Sequence, residues 1–123
     1  MGTPGRLWAK VRQYALLVYE RPGAYDPFGR EELAAITAEY DAIRDDSRVV
    51  GGGHLCPVET ATTLRREADE LLVTDGPFAD TKEVFGGYYL VEAEDLDAAL
   101  EIGARIPVLR LRGSVGIRPL LRT

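Results

Sequence analysis

Six side chains have the types needed to move protons on a small molecule: Asp75, His54, Lys82, Glu83, Tyr88 and Arg118. Four of them fall in the stretch Val73 to Val91. There a strand-like run, Leu71-Leu-Val-Thr74, breaks on Asp75-Gly76-Pro77, and Gly86-Gly87 opens a second apolar run. A carboxylate at a strand end, beside apolar Leu72 and Phe78, is expected to be desolvated and therefore a better base. Lys82 or Arg118 then holds an anionic substrate or an enolate, with Glu83 beside them. Tyr88 donates a hydrogen bond to the same group. Histidine exchanges protons near neutral pH, and His54 is the only one in the chain. This set suits proton abstraction, isomerisation or elimination on a small organic acid or carbonyl compound. A plain solvated turn, in which Asp75 only bonds the backbone, accounts for the same loop residues. A lone histidine is more often structural than catalytic, and a strand-end arginine can simply be solvated.

Other chemistries find less support. One histidine and one cysteine, with no repeat at ligand spacing, argue against a zinc or haem centre. Asp75, Asp80 and Glu83 offer carboxylates for a divalent ion, but in no recognised pattern. Gly51-Gly52-Gly53 lacks the lysine-serine/threonine sequence of a phosphate loop, and no dinucleotide fingerprint or nucleophile elbow is present. The pocket is therefore expected to work without a cofactor. Cys56 stands two residues from His54, which would place both on one face of a strand. A buried, inert thiol is the favoured reading, with a thiol–imidazole pair as its alternative.

The elements that must position these residues follow from periodicity. Tyr14 to Tyr19 is a strand by its β-branched and aromatic content. It is apolar on both faces, so both should be covered. Glu20 to Gly29 is a loop rich in proline and glycine. Its Tyr25 and Phe28 either line a pocket mouth or pack over helix ends. Arg30 to Asp46 is a helix with Leu33, Ile36, Tyr40 and Ile43 on one face. A strand starts at Arg48. Thr60 to Arg66 and Leu71 to Thr74 form a hairpin. Tyr88 to Glu92 is a strand, Leu96 to Ile106 a helix capped by Glu94-Asp95, and Gly113 to Leu120 the last strand. The expected fold is α+β, a ferredoxin-like sandwich with an antiparallel sheet, two helices and an extra β-hairpin. Two helices cover only one face of such a sheet. The other face calls for a second copy, giving a homodimer through sheet faces.

At 123 residues, 46 % apolar and 28 % charged, the chain has the size and composition of one soluble domain. Residues 1–11 have no period and are expected to be a flexible extension in which Trp8 either docks or stays mobile. Residues 12–123 form the single domain. Fifteen basic and 20 acidic residues give a net charge of −5, which argues against a broad surface for nucleic acid or an acidic membrane. No run approaches the roughly 18 apolar residues of a spanning helix. A single cysteine and no apolar leader segment point to the cytoplasm.

Asp75-Gly76-Pro77-Phe78-Ala79-Asp80-Thr81-Lys82-Glu83, with Gly86-Gly87-Tyr88-Tyr89, resembles the signature of the DGPF branch of the YCII-related family. The resemblance continues through Asp95-Leu96-Asp97, Ala104-Arg105-Ile106-Pro107 and Arg118-Pro119, and upstream through Glu31-Glu32-Leu33 and Ala61-Thr62-Thr63. It covers Tyr14 to Leu120. It implies a ferredoxin-like domain paired into a dimeric α/β barrel, but no single reaction. Some members of the wider superfamily are dehydrohalogenase-like lyases. Others are encoded beside extracytoplasmic-function sigma factors, which implies a non-enzymatic dimeric ligand-binding or regulatory accessory as the alternative. The histidine on the first helix and the aspartate before a late proline that the eponymous branch implies are both missing, since Ile106 precedes Pro107. The resemblance also implies acidic residues where this chain has Gly53 and Gly116, with His54 as the neighbouring replacement.

Overall fold

A computed structural model describes residues 12–77 and 81–121. Trp8, Phe78 and Asp80 thus lie outside the described residues. Strand β1 (Gln13–Glu20) leads into helix α1 (Arg30–Ile43) and strand β2 (Val49–His54). A 3-10 turn (Val58–Thr60) precedes the hairpin strands β3 (Thr62–Glu67) and β4 (Glu70–Asp75). Strand β5 (Val84–Glu92), helix α2 (Leu96–Gly103), a second 3-10 turn (Pro107–Leu111) and strand β6 (Ser114–Pro119) complete the order. The main sheet runs β2-β5-β1-β6 with every neighbouring pair antiparallel, and β3-β4 form a separate two-stranded sheet. This is a mixed α+β architecture consistent with a ferredoxin-like fold.

Alternation along β1 separates the two faces. Tyr14, Leu16 and Val18 are buried and cluster with Tyr89 and Val91 of β5, Ile43 of α1, and Ala99 and Ile102 of α2. Ala15, Leu17 and Tyr19 on the other face are only half-buried. The expectation that β1 is covered on both sides therefore holds within the subunit for one face. Registers place Leu17, Tyr88 and Gly116 together on the open face, with Ala15, Leu90 and Arg118 beside them.

Both helices stop short of their expected ends. After Ile43, Arg44, Asp45 and Asp46 donate to the carbonyls three residues back, which tightens the last turn. After Gly103, Arg105 and Ile106 do the same. The Asp95 carboxylate caps α2 by accepting from the Ala98 amide at 2.9 Å, as expected.

The hairpin differs most from expectation. Its strand β4 is exposed throughout: Val73 is 69 % exposed, Leu64 across from it 63 %, and Leu72 38 %. The strand that ends at Asp75 is thus not buried, because neither helix nor main sheet lies over it. Cys56 is likewise exposed, not buried. The Leu55 amide makes the last sheet bond, to the Gly86 carbonyl at 2.9 Å, and the chain leaves the sheet before Cys56. His54 and Cys56 therefore do not share a strand face.

Candidate functional site

The functional geometry gathers where β1 ends, α1 passes overhead and β2 runs out. Between Glu20 and α1 the chain folds in successive tight turns, Ala24 to Arg21, Asp26 to Gly23 and Phe28 to Tyr25, with Gly23 at φ 77°. These turns bring Tyr25 back to α1, where its hydroxyl meets that of Tyr40 at 3.2 Å. Tyr40 occupies the inward face of α1 together with Ile36 and Ile43. Its carbonyl accepts from the Tyr89 hydroxyl at 2.7 Å, which ties the helix to the centre of the sheet. The His54 ring lies nearly parallel to that of Tyr40, with centroids 6.0 Å apart and planes 20° from each other.

Glu20 closes this chain of groups. Its carboxylate lies over Gly86, where a Cβ would stand 2.0 Å from Oε1, and its field reaches the Tyr25 hydroxyl. Gly87 brings β5 close to β2, since a Cβ there would be 2.8 Å from the Gly53 carbonyl oxygen. Gly86-Gly87 therefore makes room for a carboxylate on one side and for a strand on the other. Burial, then the nearby Glu20 and Tyr40 side chains, push the Tyr25 hydroxyl far above its ordinary range. Burial also raises Tyr40. Tyr89 is pushed up to about 12 by burial, with the field of Tyr40 adding to it. These three hydroxyls remain protonated at neutral pH and serve as donors, not bases.

Two clefts meet at Glu20, Thr37, Tyr40 and His54. The smaller, about 50 Å³, lies between α1 and the β2–β5 edge and also touches Asp41, Arg44 and Tyr88. The larger, about 510 Å³, opens between the β1–α1 loop and the β2–β3 connection. Its walls include Leu33, Ile36, Leu55, Val58 and Val84.

Of the residues singled out in the sequence, His54 stands at the junction of both clefts, and Tyr88 borders the smaller one. Pairing of Gly53 with Tyr88 and of His54 with Gly87 puts the Tyr88 and His54 side chains on opposite faces of the sheet. Arg118 is exposed on edge strand β6, across from Ala15 on the open face. Glu83 accepts from the Ser114 hydroxyl at 2.8 Å and so ties the start of β5 to β6. Lys82 is exposed nearby. Asp75 ends β4 opposite Thr62 and is exposed; the buried surroundings expected from Leu72 are not there. Asp75, Lys82, Glu83 and Arg118 line neither cleft. Tyr25 does line the larger one, in keeping with its reading as a pocket-mouth aromatic. Glu20 gave no signal in the sequence beyond opening the loop after an apolar strand, and Tyr40 read only as a core position of α1.

The model of the YCII-related domain matches residues 12–123. An uncharacterised protein of Rhizobium meliloti (strain 1021) is 32 % identical over 112 residues, spanning 87 % of this chain and 90 % of that protein. With a family match over nearly the whole chain and a full-length relative of similar sequence, the chain belongs to the YCII-related family.

Proposed function

We propose that this protein binds a small organic molecule in the larger cleft and moves a proton on it without a metal or nucleotide cofactor. One observation carries the reading. A polar cluster, Glu20 beside the bonded pair Tyr25–Tyr40 with His54 stacked on Tyr40, sits where two clefts meet. Binding sites are built in this way, with apolar walls and a few convergent polar groups. We assign proton transfer to His54, the imidazole at the junction of the two clefts, because histidine is the side chain suited to exchange protons near neutral pH. The reaction class is lyase- or isomerase-like chemistry on a carbonyl or related small compound. Ligand carried through purification and identified by mass spectrometry tests the binding step directly. With that compound as substrate, His54→Asn is expected to leave folding intact and lower turnover by about 100-fold or more. Tight binding with no turnover by the parent protein would replace the enzyme reading with a ligand-binding accessory.

The reading includes a homodimer. Ala15, Leu17, Tyr19, Tyr88 and Leu90 leave the open face of the sheet largely apolar and half-exposed. Two such faces packed together bury both and give an α/β barrel of two sheets.

A further inference from the structure

The charges around the larger cleft say which kind of molecule fits it. Glu20, Asp26 and Glu59 line it, against one arginine, Arg21. The Arg21 Nε is already engaged, donating to the Arg112 carbonyl oxygen at 3.0 Å. Glu20 stands at the inner end, where both clefts meet, and Gly86 below it leaves its carboxylate room. That carboxylate has acceptor capacity for a ligand's donors, since a carboxylate offers about four lone-pair sites. Its field reaches both tyrosines and works against their ionisation. An anionic head group entering here meets the same opposition. An ammonium brings several donors and the opposite charge, and an aromatic ring attracts a cation over its face. Leu33, Ile36, Leu55, Val58 and Val84 supply surface for an apolar body.

We propose that the larger cleft selects an organic cation: an amine or other ammonium group on an apolar or aromatic body, seated against the Glu20 carboxylate beside Tyr25 and Tyr40. This rests on the cleft being a small-molecule site and adds the charge of its ligand.

Three probes of one size and shape but different charge test it: benzylamine, benzyl alcohol and benzoate. Each is titrated into the protein at neutral pH while the backbone amide NMR signals of Leu33, Tyr40, His54 and Leu55 are followed. Benzylamine is expected to bind about tenfold or more tighter than benzoate, the scale of a charge-assisted hydrogen bond. That advantage is expected to shrink in about 0.3 M salt, where exposed charges are screened. It is also expected to disappear in Glu20→Gln, which keeps the side chain's shape. If benzoate shifts these amides as tightly as benzylamine or more so, the cation inference is overturned and the site stands. If folded Glu20→Gln keeps the full preference for the amine, the assignment to Glu20 is overturned. If none of the three probes shifts these amides, the small-molecule reading itself fails and takes the inference with it.

Discussion

Gly86 and Gly87 are neighbours, yet the two demand glycine for different reasons. The atoms nearest a methyl group at Gly86 belong to the Glu20 side chain, Cγ to carboxylate, which is flexible and can swing away. At Gly87 it meets the Gly53 backbone at 2.8 Å, which moves only if the β2–β5 pairing opens. Gly86→Ala is therefore expected to fold with stability within about 1 kcal/mol of the parent while displacing Glu20 and weakening ligand binding. Gly87→Ala is expected to lose about 1–3 kcal/mol, as overpacking does, in urea denaturation. Equal losses in the two variants would mean that the Glu20 carboxylate is held as firmly as backbone.

Among the elements, the turn between α1 and β2 is fastened by charge. The Asp46 carboxylate accepts from the Arg48 guanidinium at 2.7 and 3.0 Å, from the Arg48 amide at 2.9 Å and from Arg105 beyond α2 at 2.7 Å. These donors, Arg48 foremost, hold its pKa well below the ordinary carboxylate range. A group with a depressed folded-state pKa contributes stability that is present above its unfolded value and lost as the pH falls toward the folded value. Asp46→Asn is thus expected to be less stable than the parent at neutral pH. The gap measured by denaturation should hold steady down to the ordinary value of 3.8 and narrow below it. The β3–β4 hairpin is the opposite kind of element. An isolated two-stranded sheet is marginally stable in water. At its base the Gly76 amide donates to the Ala61 carbonyl and the Thr63 hydroxyl to the Gly76 carbonyl, both at 2.7 Å. Its amides are expected to exchange with deuterium far faster than those of β1 and β5. Protection of Leu64 and Val73 equal to that of Leu16 would show that something covers the hairpin in solution.

For the whole molecule, the proposed homodimer rests on the open sheet face. Leu17 lies at its centre, flanked by Tyr88 of β5 and Gly116 of β6. A charge there leaves the buried face of β1 untouched, since Leu16 and Val18 point the other way. Leu17→Glu is expected to sediment as a monomer at micromolar concentration with an unchanged circular dichroism spectrum, while the parent sediments as a dimer. A parent that is monomeric under the same conditions would remove the barrel from the functional reading and leave the cleft, which one subunit forms alone.

The boundary between sequence and tertiary structure runs through particular residues. Local patterns were sufficient for β1, for the inward face of α1, for the Asp95 cap and for the position of the hairpin. Each depends on period, propensity or a bond spanning a few residues. The same logic limits what could be read about the site. Asp75 stood out because Asp-Gly-Pro is locally unusual, but local conformation does not say whether anything will cover a strand. The exposure of β4 and of Cys56 was decided by where the helices lie. Glu20, Tyr25, Tyr40, Gly86 and His54 come from β1, the loop after it, α1, β5 and β2, and nothing in their spacing connects them. Only the β2-β5-β1-β6 order brings the end of β1 beside Gly86 and His54, and only the packing of α1 over that edge brings Tyr40 onto the histidine ring. Periodicity determines which face of an element is apolar. Which polar groups from distant elements share a cleft depends on strand order and helix packing, and those are properties of the folded chain.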